Sequence, residues 1–116
     1  MIKLRAVKIA IATSLLASLF IHTASADPDH DFSNVDCNDE KIRGLLLGTY
    51  NEIKSNSDVP TVIDTYDQTT VTGGKNKLVC HGTYEFSDGD KLKMTYKLYK
   101  NSIGQFISSF DPDNDN

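Results

Sequence analysis

The sequence predicts an α+β domain: one N-terminal helix packed on a four-stranded antiparallel meander sheet, held by one disulfide. Three observations carry this expectation. Apolar residues recur at helical spacing across 42–53, the period then changes to two with short turn sequences between runs, and Cys37 and Cys80 are the two cysteines of an exported chain.

The export reading comes from the first 26 residues. Lys3, Arg5 and Lys8 precede an apolar run from Ile9 to Ile21, and Ala24-Ser25-Ala26 supplies a small-x-small cleavage site before Asp27. Thirteen residues at 1.5 Å rise reach roughly 20 Å, short of a hydrocarbon core of roughly 30 Å, so a cleaved signal fits better than an anchor. The expected location is the periplasm of a Gram-negative bacterium or the medium beyond it, with no integral membrane segment left after processing. Residues 27–35 are expected as a flexible acidic arm, 36–110 as a single α+β domain and 111–116 as an acidic tail.

The helix is expected to begin at Asp36 or Cys37, with Asp39 and Glu40 in a first turn that favours negative charge. Ile42, Leu45, Leu46, Thr49, Tyr50 and Ile53 form one stripe, ending near Ser55 or Asn56. Gly44 and Gly48 each lower helix propensity by roughly 1 kcal/mol relative to alanine, which suggests close packing of the helix backbone on the sheet. A first strand is expected over Thr61–Val71, rich in β-branched residues, followed by a turn at Gly73-Gly74-Lys75-Asn76. In the second, Lys77–Phe86, Leu78, Cys80, Gly82, Tyr84 and Phe86 share one face. Ser87-Asp88-Gly89-Asp90 is a hairpin turn into a third strand, where Leu92, Met94, Tyr96 and Leu98 alternate with Lys91, Lys93, Thr95 and Lys97. Asn101-Ser102 leads to a fourth strand, Ile103–Phe110.

Composition narrows the chemistry. With 39% apolar and 24% charged residues the chain is of ordinary globular type, yet too short for a large cofactor-binding enzyme. After cleavage nine Lys and Arg face sixteen Asp and Glu, a formal charge of −7, which disfavours nucleic acid as a partner. His22 leaves with the signal, His30 lies in the arm, and His81 stands on the strand face opposite Cys80, so no Ser-His-Asp or Cys-His set is visible and no catalytic residue is expected. Asp27-Pro28-Asp29-His30-Asp31 and Asp111-Pro112-Asp113-Asn114-Asp115-Asn116 imitate the opening of an EF-hand loop. Neither supplies the glycine at position six or the bidentate Glu at twelve, so neither a metal nor any other cofactor is expected. Two cysteines 43 positions apart are too distant for a C-x-x-C redox pair and are expected as a structural disulfide.

Charge distribution points to a surface instead. Residues 75–100 sum to +3 between acidic ends, and Lys77, His81, Lys91, Lys93 and Lys97 fall on one sheet face, a candidate surface for a periplasmic or envelope protein. The plainer function of those lysines is to keep an exposed sheet soluble. Cys37 with Ile42, Leu45 and Leu46, then Cys80-His81-Gly82, Asp88-Gly89, Tyr96 and the Gly104–Phe110 ending give an order that resembles a broad group of small secreted Gram-negative proteins, loosely like the colicin M immunity protein and YebF. The resemblance covers about 37–110, is architectural, and implies a binding or neutralising role in the periplasm. A small binding protein without catalytic activity, inhibitory or immunity-like, is therefore expected; the alternative is an envelope-stress or structural accessory protein without a dedicated partner.

Overall fold

A computed structural model describes residues 26–113. The export signal expected over 1–26 falls, but for Ala26, outside the described residues, as do the last three residues of the acidic tail.

Helix α1 spans Glu40–Ile53, so it stands mid-chain and not at the N-terminus. It also starts later than expected. Asp36 Oδ1 accepts from Asn38 N at 2.9 Å and Asp36 O from Asp39 N at 3.0 Å, a local turn that competes with helix, leaving Asp39 as the cap that accepts from Lys41 N. Cys37 therefore precedes the helix instead of opening it. Leu46 and Tyr50 are buried, with Ile42 and Leu47 packed beside them, whereas Leu45 (63% exposed) and Ile53 (51%) face outward. The buried stripe is rotated from the expected one because polar residues on the neighbouring face hold the edge of the sheet. Asn51 both donates to Val62 O (2.9 Å) and accepts from Val62 N (2.8 Å), and Arg43 O accepts from Thr65 Oγ1 at 2.9 Å.

Gly44 and Gly48 correct a further expectation, since a Cβ at either would meet nothing within 4 Å. With no close packing to require glycine, Gly48→Ala is expected to stabilise the fold by about 0.5–1 kcal/mol, read as a rise in thermal midpoint. A fall would reveal a backbone contact at this turn.

The sheet is an antiparallel meander in the order β1 (Val62–Gly74), β2 (Lys77–Phe86), β3 (Lys91–Lys100) and β4 (Phe106–Pro112). β2 and the β2–β3 turn agree with the sequence reading; Gly89 adopts φ +96° in that turn. β1 runs on through both glycines, pairing Gly73 with Leu78 and Gly74 with Lys77, and turns at Lys75-Asn76, where Asn76 takes φ +61°. β4 starts later than expected. Asn101 Oδ1 accepts from both Ile103 N and Gln105 N, and Gly104 at φ +84° completes the turn, so pairing begins at Phe106 and continues to Pro112 opposite Met94. The acidic tail thus begins inside the sheet: Asp111 pairs with Thr95, and Asp113 N donates to Lys93 O at 2.9 Å.

The segment 27–35, expected as a loose arm, is docked. Phe32 N donates to Gly74 O (2.8 Å), Asn76 N to His30 O (2.7 Å) and Asp27 N to Gly104 O (2.9 Å). Lys100 Nζ donates to Asp27 O (2.7 Å) and Asp29 Oδ1 (2.8 Å). Chiefly through that lysine, then Asn76, the Asp29 carboxyl is held down at about 2. Gly73 is needed here for close approach, because a Cβ would lie 2.6 Å from the Phe32 carbonyl oxygen.

Between helix and sheet lies an aromatic core. Tyr50 stands edge-on to Phe86 (5.6 Å between centroids) and Phe110 (5.3 Å), and Tyr84 edge-on to Phe110 (5.7 Å). Burial raises the Tyr84 hydroxyl pKa, with a smaller contribution from Tyr96. Cys37 and Cys80, both fully buried, form the expected disulfide, joining the approach to α1 to the second strand of the sheet.

Candidate binding surface

α1 packs on the face of the sheet that carries Cys80, Tyr84, Met94 and Tyr96. The other face has no second layer among the described residues. Directly opposed residues of antiparallel strands share a face, so the register fixes its rows. From one end to the other they read Asp64–Glu85–Lys91, Tyr66–Thr83–Lys93, Thr69–His81–Thr95–Asp111, Thr72–Val79–Lys97–Ser109 and Gly74–Lys77–Tyr99–Ile107. Lys77, His81, Lys91, Lys93 and Lys97 thus come together on one surface, as strand alternation predicts.

That surface is not uniformly basic. Glu85 stands opposite Lys91, Asp64 lies beyond Glu85, and Asp111 and Asp113 arrive from β4. His81 Nε2 reaches across β3 to Asp113, 2.9 Å from Oδ2 and 3.1 Å from Oδ1. Lys91, Lys93 and Lys97 form a band on β3 with acids on both flanks. Sequence reasoning missed Asp113 because it was assigned to a tail. Only the β3–β4 register brings it over the sheet. Thr69 and Thr95 are the cross-strand neighbours of His81, and among the described residues Asp113 is the side chain that hydrogen-bonds the His81 ring.

On the helix side an apolar pocket of about 260 Å³ lies between Phe32, Val35, Ile42, Leu45, Leu78 and Leu98. This is below the usual range for small-molecule sites, about 300–1,000 Å³. Its polar contributions come from His30, Thr49 and Tyr96, and the Tyr96 hydroxyl is already engaged with Ser108 Oγ at 3.0 Å.

The two long edges of the sheet differ. β1 is covered at four residues: Asn51 bonds Val62, Arg43 Nη1 donates to Thr65 O, Asn38 Oδ1 accepts from Gln68 N at 3.0 Å, and Phe32 N donates to Gly74 O. These side chains satisfy backbone groups that would otherwise invite a further strand. β4 has no comparable cover among the described residues; its outward bond is from Phe106 N to Asp27 Oδ2, at 2.7 Å.

Among the described residues no helix is long and apolar enough to cross a membrane. No protein-family model, curated protein or solved structure matches the chain.

Proposed function

We propose that this chain is a small exported protein, periplasmic or secreted, that binds a protein partner through the side of its sheet not covered by the helix and has no catalytic activity of its own. An inhibitory or immunity-like role is the form of binding that the architectural resemblance suggests. The observation that carries the reading is the unlayered face bearing Lys77, His81, Lys91, Lys93 and Lys97. A buried disulfide supports the oxidising compartment, since such bonds persist outside the cytosol.

Capture from periplasmic extract tests this reading, comparing the wild type with a Lys91→Glu, Lys93→Glu, Lys97→Glu variant. These lysines are exposed, so the variant is expected to melt within a few degrees of the wild type while losing a stoichiometric partner that the wild type retains. Equal recovery of the same protein by both forms would remove the lysine face from the interface.

A further inference from the structure

The bonds at the two ends of β4 determine which of its backbone groups point outward. Asn101 N donates to Gln105 O and Asp113 N to Lys93 O, which makes 101/105 and 93/113 hydrogen-bonded pairs of one antiparallel register. Such pairs alternate with non-bonded ones, so Ile107, Ser109 and Asp111 are spent on β3, while Phe106, Ser108, Phe110 and Pro112 turn their backbone groups away from the sheet. Phe106 N is held by Asp27, and Pro112 has no N–H. The outward edge therefore offers two donors, on Ser108 and Phe110, and four acceptors, on Phe106, Ser108, Phe110 and Pro112.

A second copy fits this edge poorly. Each copy brings two free donors against the other's four acceptors, so self-pairing of β4 leaves carbonyls unserved in any antiparallel register; about Ser109 the Phe106 carbonyl faces Pro112 of the other copy, which cannot donate. Self-pairing would also join two segments that, over 101–116, carry three acids and no base. A foreign strand with an N–H at every position satisfies all four carbonyls. A basic side chain at its end beside Pro112 would meet Asp111 and Asp113, whereas at the other end Asp27 already accepts from Phe106 N and has Lys100 beside it.

We infer that the free edge of β4 is a strand-addition site for an extended, basic segment of a partner protein, using the Ser108 and Phe110 backbone and the acids Asp111 and Asp113. This rests on the proposed binding function and adds to the sheet face a second contact, at its β4 edge.

The test titrates the mature, disulfide-bonded protein with the peptide acetyl-Lys-Val-Thr-Val-Thr-Val-Lys-amide up to millimolar concentration, followed by backbone amide NMR and hydrogen exchange. Shifts are expected to cluster on 106–112, with exchange of the Ser108 and Phe110 amides slowed about tenfold at saturation. The same peptide with Glu in place of Lys is expected to bind about tenfold more weakly, and one N-methylated at alternate residues not at all. Shifts centred on Lys91, Lys93 and Lys97, an absence of shifts, or concentration-dependent protection of β4 without peptide would each overturn the inference, the last in favour of a second copy. Partner capture that depends on the lysines, with no peptide effect at β4, would refute the edge site while leaving the binding function standing.

Discussion

Replacing both cysteines, as Cys37→Ala with Cys80→Ala, is expected to destabilise the domain by about 2–5 kcal/mol. Closing a loop of about 44 residues restricts the unfolded chain by roughly 4 kcal/mol in the chain-entropy account, and two fully buried sulfurs add packing that alanine does not replace. In a domain of this size 1 kcal/mol moves the thermal midpoint by roughly 4–8 °C, so the fall amounts to tens of degrees. The bond acts on a particular seam. Cys37 sits between the docked 30–35 segment and the cap of α1, and its own N–H donates to Thr70 Oγ1, which in turn donates to Val35 O. Loss of the bond leaves this seam on side-chain hydrogen bonds, each contributing about 1 kcal/mol net. Denaturant unfolding of the oxidised wild type against the double variant measures the effect, and hydrogen exchange should show the seam and α1 opening before the β2–β3 ladder. A loss below about 1 kcal/mol would mean that the hydrogen-bonded seam holds without the staple.

What the sequence disclosed follows the same division. The bounds of β2 and the alternation of β3 were legible because both lie in the middle of the sheet, between a buried and a solvated face, and because Asp88-Gly89 fixes their turn; Leu92, read as core but 44% exposed, and Val79, read as outer but buried, depart from it. The lysine face was legible for the same reason. Its acidic neighbours were not: Asp64 reaches it through a strand with three register shifts, and Asp113 through pairing that persists beyond the last apolar residue of β4. The docking of 27–35 left little trace in the pattern, since backbone groups of Asp27, His30 and Phe32 bond to Gly104, Asn76 and Gly74, and the side-chain contacts that join them, Lys100 with Asp29 and Asn76 with Asp29, link residues more than 45 positions apart. In α1 the apolar stripe was read correctly as amphipathic but about one position off in rotation. Asn51, Arg43 and Thr65 decide that rotation, and polar contacts of this kind have no period.

Gly82→Ala is expected to destabilise the domain by about 2–4 kcal/mol, although it adds a single methyl group. On β2 the residue takes a core position between Cys80 and Tyr84, where a larger apolar side chain would ordinarily be favoured. Across from it β1 bulges, with Asp67 at φ +53° and the register shifting between Tyr66 and Thr69. The bulge turns the Gln68 side chain inward, 5% exposed, with Nε2 donating to Tyr66 O and Thr83 O at 3.3 Å each. That amide occupies the space where a Cβ on Gly82 would stand, and the Asp67 carbonyl oxygen would lie 2.8 Å away. Moving Gln68 aside gives up both hydrogen bonds and strains a bulge that Asn38 ties to the approach of α1; leaving it in place requires β1 and β2 to separate. A double-mutant cycle with Gln68→Ala distinguishes this from a general cost of substitution in the strand. The pair is expected to be less destabilised than the sum of the single variants by about 1 kcal/mol or more, because removing the amide makes room for the methyl group. Strict additivity would show that Gly82 is required by the β2 backbone itself and that the inward glutamine only fills space the glycine happens to leave.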